Sequence, residues 1–236
     1  MSKEYRSAPS ISQPGSAAIW QLSLYSGSGE RQRESFISDA SSQIVFENLD
    51  EARELASRCR RCGLCETRTT VVFCDGNPEA KLMIIGEGPG QTEDEMGLPF
   101  VGRAGQLLDR ILASVNIDRQ KDTYICNVVK CRPPGNRVPT REEAAACRPY
   151  LDAQIDLVRP RLVLLAGATA VQSVLQVKDP ISRIRGRWFP FRNDAKVMPI
   201  FHPSYLLRND TKAVGSPKWL MWQDIKEVRR ALDALG

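Results

Sequence analysis

Cys59 and Cys62 form a C-R-R-C pair, and Cys65 extends the run by a second C-x-x-C. Cys131 and Cys147 follow far along the chain, with fifteen residues between them. Two thiolates from one turn and two from a distant loop complete a tetrahedral four-sulfur site, a donor set that suits zinc or an iron–sulfur cluster. Cysteine count and spacing do not separate the two. The surroundings of the first pair (CRRCGLC) are basic and turn-like rather than apolar, which favours ligation over packing. Cys126, inside an apolar run, and Cys74, beside a turn, read instead as small buried hydrophobes.

A second constellation lies in two glycine- and proline-marked loops. The run Gly86-Glu87-Gly88-Pro89-Gly90 is followed by Gln91-Thr92-Glu93-Asp94. Glycines there let the backbone turn sharply and offer N–H groups to a ligand. The run has neither the lysine of a phosphate loop nor the G-x-G-x-x-G spacing, so nucleotide binding is poorly supported. Phe100, in LPFVGRAG, is a core residue or a platform on which a base stacks. Asn127 closes an apolar run near Cys131, and a carboxamide both donates and accepts, as reading one edge of a pyrimidine requires. His202 is the only histidine, set where an apolar run meets the loop His202-Pro203-Ser204-Tyr205-Leu206-Leu207-Arg208. The two leucines of that loop either pack or form an apolar wedge for a nucleic-acid stack.

Positioning these residues takes a fold of ordinary size. The chain has 236 residues, 42% hydrophobic and 26% charged, which is globular. No run of about eighteen apolar residues offers a membrane span. The N-terminus lacks the long apolar core of a signal peptide, so a cytosolic protein with free thiols is expected. The formal charge is +5; residues 1–50 hold four Lys/Arg against six Asp/Glu, so the remainder carries +7. That basic body is compatible with a polyanionic partner. Residues 1–40 read as a mostly disordered extension with one apolar cluster, Ala17–Leu24, as a short docking segment. The folded domain is expected over 44–236. Four apolar runs, Lys81–Gly86, Thr123–Val129, Leu162–Ala166 and Val197–Phe201, have the length of strands buried on both faces. Between and around them, helical patterns cover Phe46–Cys59, Arg103–Val115, Thr140–Val158, Ala168–Leu175 and Trp219–Leu235. This alternation predicts an α/β sandwich with a mainly parallel sheet, whose sites form at the C-terminal ends of the strands.

Taken together, GEGPG with its following acids, PFVGRAGQLL, N-VVKCRPPGNR and HPSYLLRN resemble the type 4 uracil-DNA glycosylases, the iron–sulfur branch of their superfamily. The resemblance runs from about Cys59 to Leu235. It implies a three-layer α/β/α sandwich around a central four-stranded parallel sheet. It implies a structural [4Fe–4S] cluster on Cys59, Cys62, Cys131 and Cys147, with Cys65 outside the ligand set. The implied reaction is hydrolysis of the N-glycosidic bond of deoxyuridine in single- or double-stranded DNA, by a monomer. The uracil would be flipped out, stacked on Phe100, read by Asn127, lined by Glu87, Gly88 and Pro89, and contacted at O2 by His202. Leu206, four residues after His202, would be the wedge. Other branches of the superfamily carry an Asp where this chain has Gly88, and Glu87 is the preferred substitute for its role on water or the sugar cation. Likewise Gly90 lacks the bulk that another branch sets against the thymine methyl. An electron carrier on the same thiols would leave the Glu87 and His202 loops unexplained, whereas a zinc-bearing nucleic-acid module without catalysis differs in its metal and in lacking glycosylase activity.

Overall fold

The computed structural model describes residues 45–236. The expected extension and its Ala17–Leu24 segment lie outside the described residues. In chain order the elements are α1 (Leu49–Ser57), β1 (Asp75–Gly76), β2 (Leu82–Gly86), α2 (Gln91–Met96), α3 (Arg103–Ala113), α4 (Arg119–Asp122), β3 (Thr123–Asn127) and α5 (Arg141–Val158). They continue with β4 (Leu162–Ala166), α6 (Ala168–Leu175), α7 (Ile181–Ile184), β5 (Phe189–Pro190), β6 (Lys196–Ile200), α8 (Pro203–Arg208) and α9 (Pro217–Asp233). The sheet order is β1-β3-β2-β4-β6-β5.

The four apolar runs form β2, β3, β4 and β6, which pair in parallel. Two short strands that the sequence reading lacks, β1 and β5, add antiparallel edges. Each has only two residues, too few for an apolar pattern to register. Alternate side chains of the central strands leave on opposite faces. Met83, Ile85, Cys126, Val163 and Leu165 pack under α1, α5 and α6, while Leu82, Ile84, Ile125, Leu164 and Met198 pack under α3, α8 and α9. This two-sided burial is why the strands read as unbroken apolar runs.

Helix ends follow local chemistry. Asn48 caps α1 by accepting from the Glu51 N–H, so that helix begins later than the periodicity from Phe46 suggests. Thr140 and Glu143 form a reciprocal capping box at the start of α5. Ser216 caps α9, with Pro217 in its first turn. The segment after β6 is a helix rather than a loop: His202 accepts from the Ser204 N–H, and Pro203 supplies a first position that needs no donor.

Candidate active site and cysteine centre

The register of the central strands brings Gly86 level with Asn127 at their C-terminal ends. Pairing runs one step further, with the Val128 N–H on the Gly86 carbonyl at 2.9 Å and the Val129 N–H on the Glu87 carbonyl at 3.2 Å. Glu87 and Asn127 are therefore neighbours by strand register. The ends of β2, β3 and β6 surround a cavity of about 220 Å³, lined among others by Glu87, Gly88, Pro89, Phe100, Asn127 and His202. That is below the range of roughly 300–1,000 Å³ typical of drug-sized pockets and suits a single base. Every pocket residue expected from the sequence lines this one cavity.

Phe100 is held against the site by strong local constraint. Its φ is +53°, an unusual conformation for an aromatic residue. Arg119 fixes it there, donating to the Phe100 carbonyl at 2.9 Å and the Pro99 carbonyl at 2.5 Å. Arg119 is itself anchored by Asp75 at 2.9 Å and Asp109 at 2.8 Å. Two glycines make room. A Cβ on Gly105 would stand 1.8 Å from the Phe100 carbonyl oxygen, and one on Gly86 would stand 2.5 Å from the Phe100 ring and 2.4 Å from Asn127 Oδ1. The ring therefore lies directly over the end of β2 and beside the Asn127 amide. Asn127 is only 2% exposed. Among the described residues its carboxamide makes no hydrogen bond, so both its donor and its acceptor remain available to the cavity.

His202 lies with its ring 5.7 Å from that of Phe100. Its Nδ1 accepts from the Ser204 main-chain N–H at 3.1 Å and lies 2.7 Å from the Ser204 hydroxyl. A ring nitrogen that accepts an N–H carries no proton, so the neutral imidazole holds its proton on Nε2. Burial, and then the charge of Arg208, push its pKa down to about 4, against a smaller opposing effect of Glu93. The ring is thus neutral and a donor at physiological pH.

Three residues hold the site through contacts that the sequence does not disclose. Thr169, in the first turn of α6, donates its hydroxyl to Glu87 Oε2. Glu93 ties the glycine loop to the phenylalanine loop, accepting from Gly90 at 3.1 Å, Val101 at 3.0 Å and Gly102 at 2.7 Å. Asp94, buried, accepts from the Thr69 and Thr70 N–H groups. The acids after GEGPG are visible in the sequence, but their partners are several loops away.

Leu206, expected as the wedge, faces inward in this conformation. It is 1% exposed and packs in the core beneath α3. Because the segment is helical, Leu206 turns inward while Tyr205 and Arg208 turn outward and Leu207 is half-buried. In this conformation Leu206 offers no wedge.

The second cavity is small and lies beneath α1. Cys59, Cys62, Cys65, Cys131 and Cys147 line it, together with Arg68, Lys130 and Tyr150. Cys74 and Cys126 lie elsewhere in the core, as their apolar context suggests. Arg68 donates to Cys131 Sγ at 3.2 Å and to the Cys59 carbonyl at 2.9 Å. The Lys130 N–H donates to Cys147 Sγ at 3.3 Å. Burial pushes the Cys147 thiol up to about 12, opposed by the nearby Lys130 charge. Burial also raises Cys62 and Cys131, the latter opposed by Arg68. No three candidate ligands among the described residues stand close enough around one point for a single metal ion. The all-sulfur donor set around this cavity, with N–H donors on two of the sulfurs, is of a chemistry that an iron–sulfur cluster takes. Pro133, Asn136 and Arg137, which wall the first cavity, lie in the loop between Cys131 and Cys147. Arg137 is pinned by a bidentate pair with Glu143 at 2.7 and 2.8 Å.

The mixed sheet, the base-sized cavity at its strand ends and the nearby cysteine-lined cavity belong to an α/β protein with a site suited to a single flat ring. Residues 73–226 match the family described as the Uracil DNA glycosylase superfamily. The chain is 43% identical over 191 residues to the Type-4 uracil-DNA glycosylase of Thermotoga maritima, covering 80% of this chain and 97% of that protein. It is 42% identical over 170 residues to the Type-4 uracil-DNA glycosylase of Archaeoglobus fulgidus, covering 69% of this chain and 84% of the relative. A Type-5 uracil-DNA glycosylase of Pyrobaculum aerophilum is 31% identical over 116 residues, covering 43% and 51%. The chain belongs to the uracil DNA glycosylase superfamily and, within it, to the type-4 uracil-DNA glycosylases.

Proposed function

We propose that this chain removes uracil from single- or double-stranded DNA, hydrolysing the N-glycosidic bond to release free uracil and leave an abasic site. The observation that carries this reading is the convergence of an aromatic face, an unengaged carboxamide and a neutral imidazole donor on one base-sized cavity. Chemistry on a base requires that the nucleotide leave the stack. Within the cavity, the flipped ring stacks on Phe100. The Asn127 amide oxygen accepts from uracil N3–H and its nitrogen donates to O4, a pairing that cytosine, with an amino group at that edge, cannot satisfy. Gly88 and Pro89 close the pocket with main chain.

Cleavage sends the bonding electron pair onto the base, and charge accumulates at O2. His202 Nε2–H, aimed there, strengthens its hydrogen bond as that charge grows and so favours the transition state over the bound substrate. Thr169 holds Glu87 Oε2 and leaves Oε1 for the water that adds to C1′ or for the sugar cation. The water's proton passes to this carboxylate. Cys59, Cys62, Cys131 and Cys147 would hold a [4Fe–4S] cluster, which when bound supplies a structural clamp on the loop carrying Pro133, Asn136 and Arg137. The outward side of α8, with Leu207 beside exposed Arg208, takes the wedge role in place of Leu206. The protein acts as a monomer in the cytoplasm.

The test is release of free uracil from a single-stranded oligonucleotide with one uracil, beside the same oligonucleotide with cytosine or thymine. Cleavage confined to uracil, lost in Asn127→Ala with the iron content unchanged, is the expected result. No release by the iron-loaded parent protein refutes the reading.

A further inference from the structure

Lys130 lies between the two cavities and takes no part in the excision scheme. Its side chain is 1% exposed. Its Nζ donates to the Asn127 main-chain carbonyl at 2.5 Å and to Gln154 Oε1 at 2.6 Å. Gln154 is fully buried and fixed in turn, donating to the Phe73 carbonyl at 2.9 Å and the Tyr124 hydroxyl at 3.1 Å. The Phe73 ring lies 6.0 Å from the ammonium. Among the described residues no carboxylate pairs with Lys130. Its partners satisfy hydrogen bonds, but all of them are neutral.

A buried ammonium without a counter-charge costs several kcal/mol. The cysteine centre adjoins Lys130. Lys130 lines that cavity, its own N–H reaches Cys147 Sγ, and the next residue is Cys131. A cluster held by four thiolates carries net negative charge, which supplies the missing counter-ion without a carboxylate. The main-chain N–H of Lys130 reaches the sulfur, while its ammonium grips the main chain of Asn127, whose carboxamide faces the base pocket.

We propose that Lys130 is a positioning residue joining the cysteine centre to the base pocket: it is the buried counter-charge of the thiolates, and it holds the Asn127 carbonyl so that the carboxamide is set for uracil. This rests on the glycosylase reading above and adds to it a physical link between the centre and base recognition. Loss of the cluster would strand the charge, and the grip on Asn127 would loosen with it.

The experiment compares the parent, Lys130→Met and Gln154→Glu after anaerobic reconstitution with iron and sulfide. Iron content, the reduction potential of the centre and the equilibrium binding of free uracil are measured on each. In Lys130→Met the potential moves to more negative values, because a nearby cation no longer favours the reduced form, and uracil binds about tenfold more weakly. Gln154→Glu places a carboxylate beside the ammonium. It moves the potential in the same direction but keeps uracil affinity within about twofold of the parent, since the bond to Asn127 remains. Should Lys130→Met not fold or load, Gln154→Glu still decides the matter through its potential. An unmoved potential in the loaded variants, or parental uracil affinity in Lys130→Met, overturns the proposal. A parent that binds no uracil instead removes the glycosylase reading, and the potentials alone then judge the counter-charge role.

Discussion

His202 is the only histidine in the chain, so its protonation can be followed without ambiguity. With its pKa pushed down to about 4 by burial and by Arg208, the ring stays neutral far below the usual imidazole range near 6.5. At pH 5.5 roughly 3% of such a ring is protonated, whereas an ordinary imidazole would be about nine-tenths protonated. If the Nε2–H donor acts as argued, protonation matters for two reasons. It brings a proton onto Nδ1, which breaks the contact with the Ser204 N–H, and it tilts the ring away from O2. Single-turnover cleavage of a mismatched uracil, which is cheap to extrude, should therefore be nearly flat with respect to this group from pH 7.5 down to 5.5. An ordinary imidazole would instead cut the rate about tenfold over that range. The imidazole proton resonances should likewise show no midpoint above pH 5. His202→Ala should lose on the order of 100-fold in rate at every pH, with DNA binding little changed, and His202→Asn should recover part of it through its amide donor. Stability carries the same sign. Between about 4 and 6.5 the unfolded chain binds a proton that the folded chain does not, so stability falls as pH drops through that window, and His202→Asn should remove this part of the slope. A folded-state midpoint near 6.5, or parental cleavage by an intact His202→Ala protein, would refute the assignment.

Arg119→Met should free Phe100 from its positive φ, a strain of about 1–3 kcal/mol that the arginine's two carbonyl contacts offset, and weaken uracil binding measured at equilibrium by more than it alters DNA affinity. Thr169→Val, which keeps the shape but removes the donor to Glu87, should lower the single-turnover rate about tenfold and leave free-uracil affinity unchanged; equal losses in both would point to altered packing. Cys59→Ala should abolish iron loading, whereas Cys65→Ala should retain about four iron per chain, and the reverse pattern would shift the ligand assignment. Leu206→Ala should cost about 2–5 kcal/mol in urea unfolding, while Leu207→Ala should cost little stability and slow cleavage of duplex more than single-stranded substrate.

What the sequence discloses here depends on the range over which each signal acts. The four central strands were legible because burial on both faces leaves an apolar run that no neighbouring element can disguise. Asn127 and His202 were legible because polar residues ending such runs sit at the strand ends where α/β sites form. The α8 helix was not legible: His-Pro-Ser resembles a turn, and the choice between loop and helix rests on one side-chain cap made by His202 itself. In that helix Leu206 faces the core while Tyr205 and Arg208 face outward, an arrangement that the pattern of the segment does not disclose. The positioning parts of Arg119, Glu93, Thr169 and Lys130 were not legible for a different reason. Each acts by donating or accepting across a loop or between layers, onto main-chain groups that any residue provides or, for Thr169, onto the Glu87 carboxylate, so the pairing leaves no mark in the sequence. Their residue types are ordinary and their effect is entirely in placement. The residues lining the candidate pocket are therefore readable from pattern, while the groups that fix them within hydrogen-bonding tolerance emerge only from the folded arrangement. For Lys130 the consequence is sharpest: it stands inside KCRPP, beside Cys131, where pattern alone suggests a phosphate contact. Full burial excludes that contact, and leaves an ammonium whose hydrogen-bond partners among the described residues are all neutral.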